Sequence, residues 1–178
     1  MPWTQLELKV CASLYGSILI PETWLTKRRG VYGVFFKDSQ ILLLRSKTNG
    51  QFMLPGGGAD SENETLLETL AREALKEVGL HVTKLVNRMY HGQTLFAYNP
   101  RHTDIFEAYD QYTEVYLVEF EDGKLLADDL VDDLEGKLPR WILIAELRQE
   151  LFSDFWIWRA VVRAIKEMEL EHLLTGNS

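Results

Sequence analysis

Along the chain the apolar positions follow two periods, one of two residues and one of three to four, and their succession predicts strands interrupted by one helix and closed by another. Residues 5–11 alternate, with Leu6, Leu8 and Val10 on one face and Gln5, Glu7 and Lys9 on the other, as in a half-buried strand. Residues 31–37 and 41–45 are apolar runs rich in β-branched and aromatic side chains, and the link Lys37-Asp38-Ser39-Gln40 makes them a hairpin. From Thr65 the spacing changes: Leu67, Leu70, Ala71, Ala74 and Val78 form one helical stripe, which Gly79 stops. Short strands are expected over 81–86 and 91–98. A strand at 111–120, alternating through Tyr112, Glu114, Tyr116 and Val118, belongs near the centre of the sheet, and another apolar run covers 141–147. The chain closes on an amphipathic helix over 150–174, with Phe152, Phe155, Trp156, Val162, Ile165 and Met168 for packing. Between the first strand and Gly30, Pro21 and the run Lys27-Arg28-Arg29 read as a loop or short helix whose basic cluster is either a solvated turn or a phosphate contact.

Strands on both sides of an internal helix, with a final helix, predict an α/β fold with helices on both faces of a mixed sheet. At 178 residues and 46% hydrophobic content the chain suits a single domain over 1–178, with a core over about 30–174 and an N-terminal strand and loop extension over 1–29. Such a domain buries on the order of 70% of its unfolded surface. The formal charge of −8 disfavours stable binding to nucleic acid, and an anionic ligand would need a metal or local arginines. The single cysteine, Cys11, rules out an internal disulfide and suits a core position in a reducing compartment, so a cytoplasmic location is expected. The apolar run 10–20 is too short to span a membrane.

The chemistry concentrates in residues 54–80. Pro55 and the three glycines Gly56, Gly57 and Gly58 let backbone approach a ligand closely, and the helix that follows carries Glu73 and Glu77 one turn apart. Two carboxylates at that spacing suit a hard divalent cation such as Mg²⁺. The four histidines, His81, His91, His102 and His172, lack the spacing of a zinc site.

The segment resembles the Nudix box: Gly58, Glu64, Arg72, Glu73, Glu77 and Gly79 stand at its fixed positions without insertion, with Ala74 and Leu80 at its aliphatic ones. Lys76 departs from it, replacing the first glutamate of a Glu-Glu pair. The resemblance implies an α/β/α sandwich with a central mixed β-sheet. It also implies a Mg²⁺- or Mn²⁺-dependent hydrolase that cleaves the diphosphate linkage of a small nucleoside diphosphate derivative. On the same footing, the carbonyl of Gly58 and the carboxylates of Glu73 and Glu77 are the expected metal ligands. Glu64 and Arg72 would tie the turn to the helix, and Glu135, in the acidic run before Trp141, is the first candidate to complete the metal site or act as base, ahead of Asp132 and Asp133.

Outside the box, Arg45 ends a strand and would reach a bound phosphate if that strand neighbours the glycines; an edge arginine in solvent is the other reading. Tyr98, Phe106 and Tyr109 put aromatic rings around one loop, for a nucleobase or for the core. Lys76 also sustains a rival reading, a catalytically impaired Nudix domain serving as a nucleotide-binding or regulatory module. An ammonium about 5 Å from a dication, at an effective dielectric of about 20, costs on the order of 6 kcal/mol. A homodimer is compatible with everything above.

Overall fold

A computed structural model describes residues 7–13, 16–98, 107–127 and 137–170. The hairpin predicted from the two apolar runs forms only at its tip, because residues 31–34 pair elsewhere. β3 (Leu25–Val34) leads through Phe35 into β4 (Phe36–Lys37), which pairs antiparallel with β5 (Gln40–Ser46). The apolar run of β5 is buried on both faces: Ile41 and Leu43 enter one core, Leu42 and Leu44 the other. That is why it lacks the alternation of a half-exposed strand.

The other strands are β1 (Leu8–Ser13), β2 (Gly16–Pro21), β6 (Phe52–Met53), β7 (Gly56–Gly58), β8 (Val82–Tyr98), β9 (Glu107–Phe120) and β10 (Lys137–Leu143). One sheet runs β2-β1-β8-β9-β3-β7, and a second runs β10-β5-β4 with β6 on β5. The first is mixed: β3 runs parallel to β9 and β1 parallel to β8, while the remaining pairs are antiparallel. Helix α1 (Leu66–Val78) covers one face through Leu70, Ala74 and Val78, packed with Val31, Phe35, Leu42 and Val118. Helix α2 (Phe155–Glu167) covers the other through Ile157, Ala160, Val161, Ala164 and Ile165, packed with Val34, Leu43 and Val115. The chain is thus a mixed α/β fold with a helix on each side of its sheets. Among the described residues no helix is long and apolar enough to cross a membrane.

Several expectations are corrected. The first strand turns the other way: Leu8 and Val10 are 53% and 61% exposed while Cys11 is fully buried. Cys11 packs with Ile20, Ala97 and Ala108. Residues 16–21 and 25–30 are strand, so Lys27, Arg28 and Arg29 lie within β3 and not in a turn. The strands at 81–86 and 91–98 are one strand, β8, kept continuous by bulges that absorb register shifts between Val82 and Tyr90. β10 stops at Leu143, and residues 144–147 turn through a short 3₁₀ segment, Ile144–Glu146. Among the described residues the last helix spans Phe155–Glu167, and Phe155 and Met168 are exposed; positions 171–174 of the expected helix lie outside the described residues.

Candidate active site

The glycine turn becomes a strand. β7 pairs antiparallel with β3, Gly30 opposite Gly58 and Tyr32 opposite Gly56. Gly56 has φ of 140°, and a β-carbon there would sit 2.2 Å from the carbonyl oxygen of Val31, so no other residue lets β7 lie this close to β3. Helix α1 packs behind. Its N-terminus is fixed by a capping box, in which the Thr65 hydroxyl accepts from Glu68 N at 3.2 Å and the Glu68 carboxylate accepts from Thr65 N at 2.9 Å.

The helix is docked further round than its apolar stripe implies. Leu67 is exposed, whereas Glu73 and Glu77 are buried between helix and strand. Two buried carboxylates need partners, and both have them. Glu77 Oε2 accepts from Gly56 N at 2.8 Å, and Glu77 Oε1 lies 3.3 Å from Lys137 Nζ at the start of β10. Glu73 Oε1 accepts a short hydrogen bond from Arg72 Nη1.

Arg72 connects the parts. Its Nε donates to Glu64 Oε1 at 2.9 Å, and its Nη2 donates to Glu64 Oε2 and to the Gly58 carbonyl, both at 3.1 Å. Asp60 Oδ2 lies 3.3 Å from Arg72 Nε, and Asp60 N donates to Glu64 Oε2 at 2.7 Å. The guanidinium, first by its hydrogen bonds, pulls the Glu64 carboxyl down to about 2, and Glu64 in return holds the Arg72 guanidinium above its usual range.

Of the expected site residues, the structure gathers Gly58, Glu64, Arg72, Glu73 and Glu77 into one constellation. Arg45 is on β5, exposed, with its guanidinium beside Gly50. Tyr109, on β9, is partly buried. The backbone of Tyr98 ends β8, but its side chain, Phe106, Glu135, Asp132 and Asp133 lie outside the described residues. Lys76 sits exposed in the last turn of α1, where a cation complements the helix dipole.

Sequence reasoning missed three contributors. Arg28 and Gln111 are joined by a 2.8 Å hydrogen bond on the sheet face beside Gly58, and Lys137 reaches Glu77 from the second sheet. Nothing local marks Lys137, which follows an acidic run, and Arg28 was hidden in a cationic triplet that reads as a turn.

The residues present fit a hard divalent cation. All the donors are oxygen: the Gly58 carbonyl and the carboxylates of Glu73 and Glu77. Glu73 Oε2 accepts no hydrogen bond from any described residue, and a β-carbon at Gly57 would lie 3.0 Å from the Glu73 carboxyl carbon, so the strand is shaped around that group. Among the described residues no group of three or more His, Cys, Asp or Glu side chains could hold a metal ion. A magnesium-like ion takes water and substrate oxygens as well as protein ligands.

Residues 26–163 match the family model of the NUDIX domain. This chain belongs to the Nudix family. Solved structures share the Nudix fold with it. A MutT NUDIX hydrolase from Burkholderia pseudomallei is 20% identical with a TM-score of 0.56, over 78% of this chain and 98% of its own. A NUDIX hydrolase from Nitrosomonas europaea is 16% identical with a TM-score of 0.57, over 95% of this chain and 93% of its own. An ADP-ribose pyrophosphatase from Streptococcus suis is 16% identical with a TM-score of 0.51, over 78% of this chain and 92% of its own. At these identities the likeness is one of fold. No curated protein matches.

Proposed function

We propose that this Nudix hydrolase cleaves the diphosphate linkage of a small nucleoside diphosphate derivative, with Mg²⁺ or Mn²⁺ held by the Gly58 carbonyl, Glu73 and Glu77. The observation that carries the reading is the Arg72 constellation, in which one guanidinium binds Glu64, Glu73 and the Gly58 carbonyl together. A bound divalent ion would neutralise the diphosphate and activate water for attack on phosphorus. The protein's own part is positioning. Gly56 N fixes one oxygen of Glu77, Arg72 fixes one oxygen of Glu73, and Glu73 Oε2 is left for the cation. Arg72 and Lys137 offset the buried carboxylates until the ion arrives. Glu135 remains the proposed base. A MutT NUDIX hydrolase and an ADP-ribose pyrophosphatase share this fold, and on our reading the leaving group is selected by residues outside the box.

The test is hydrolysis of a panel of nucleoside diphosphate derivatives with Mg²⁺ and Mn²⁺ by wild type, Glu77→Gln and Lys76→Glu. Turnover by wild type that Glu77→Gln lowers at least about a hundredfold is expected. A wild type that turns over nothing, while Lys76→Glu does, would make the chain a binding module with a disabled metal site.

A further inference from the structure

Of the three consecutive cations in β3, the middle one lies against the box glycine Gly58, on the sheet face opposite α1. Arg29 points to the α1 side, where its Nη2 lies 3.8 Å from Glu114, and Lys27 shares that face by alternation. Arg28 shares the opposite face with Gly30 and Tyr32. Its guanidinium is held on three sides: Nε donates to Gln111 Oε1 at 2.8 Å, the central carbon lies 3.8 Å from the centre of the Tyr109 ring, and the Phe96 ring is 5.1 Å away. A β-carbon at Gly58 would come within 2.6 Å of that carbon, so the group lies flat against the box glycine.

These contacts use Nε and the flat face of the guanidinium. Neither Nη1 nor Nη2 donates to a described residue, although the side chain is half-buried. Two N–H groups on one planar fork match two oxygens of a phosphate. They open beside the same glycine whose carbonyl Arg72 grips from the other side.

Gln111 aims the fork. It is 1% exposed; its Nε2 donates to Thr113 Oγ1 at 3.0 Å and to Tyr32 Oη at 3.4 Å, which leaves Oε1 for Arg28. Thr113 is tied in turn to Thr94 at 2.7 Å. A buried amide is costly unless satisfied, and this one is satisfied in an orientation that presents its acceptor to Arg28.

We propose that Arg28 is a phosphate-binding residue that holds the diphosphate of the substrate against Gly58, and that Gln111 is the residue that positions it. The diphosphate identity rests on the hydrolase reading; the oxyanion receptor rests on its own geometry. Tyr109 then serves to seat Arg28, and the ring face that Arg28 covers is not open to a base.

The probe is methylenediphosphonate, a diphosphate mimic with no base and no hydrolysable bridge, titrated calorimetrically with and without Mg²⁺. Arg28→Gln should weaken it about tenfold or more, and Arg28→Lys should not restore it, because an ammonium supplies charge without the fork. Gln111→Met should weaken it several-fold in the wild-type background and have no further effect once Arg28 is Gln, a non-additivity that a purely structural role would not produce. Wild type that does not bind the mimic, or Arg28→Gln that binds it as well as wild type, overturns the proposal. The panel assay separates the two readings: absent turnover with Arg28-dependent binding sinks the hydrolase and leaves the receptor, and the converse sinks only the receptor.

Discussion

Glu64 and Arg72 show how a single pair writes itself into solution behaviour. The Arg72 guanidinium depresses the Glu64 carboxyl from 4.5 to about 2. The folded state therefore binds this proton less readily than the unfolded chain does. The pair's stabilisation is fully present above about pH 4.5 and is lost as the pH falls through about 2. Glu64→Gln should lose on the order of 1 kcal/mol at neutral pH and flatten the stability profile across that window, measured by denaturant unfolding at stepped pH. At the other carboxylate, Lys137 contacts an oxygen that the cation would share. Lys137→Met should tighten Mn²⁺ binding several-fold, read by the loss of the free-ion electron spin resonance signal; weaker binding would mean that Lys137 holds Glu77 in place and does not compete for it.

At the scale of elements, α1 is set between a capping box and Gly79, whose φ is 79°. Gly79→Ala would force a left-handed alanine and bring its β-carbon 3.0 Å from Leu126, so a loss of about 1–2 kcal/mol is expected in chemical denaturation. The box helix, its stop and the β4–β5 hairpin were legible because periodicity and turn residues mark them locally. The rotation of α1 was not. A carboxylate buried against Gly56 N, Arg72 or Lys137 looks in sequence like any solvated glutamate, so the apolar stripe puts Leu67 inside and does not include Glu73 or Glu77. β3 was missed in its first half for a related reason: Lys27-Arg28-Arg29 masks the alternation, and the rings that take up Arg28 come from β8 and β9. The facing of β1 depended on which side of β8 it docks, and nothing within 5–11 carries that choice.

For the whole molecule, the two cores on either side of the sheets are built from apolar side chains and contain none of the proposed metal ligands. α1 and α2 pack through apolar residues, and the site carboxylates already have protein partners. Removing divalent ions with chelator should therefore leave the fold intact. Adding Mn²⁺ at about 100 times its dissociation constant should raise stability by about 2.7 kcal/mol, a gain that Glu73→Gln abolishes, followed by thermal unfolding.

One further property follows from where Cys11 sits. It is the single cysteine of the chain, fully buried where β1 and β2 meet β8 and β9. The protein thus carries an intrinsic reporter of its N-terminal hairpin. A thiol reagent labels the folded chain only when that hairpin lifts from the sheet, so the labelling rate, compared with the global unfolding rate, shows whether residues 8–21 open as a unit of their own.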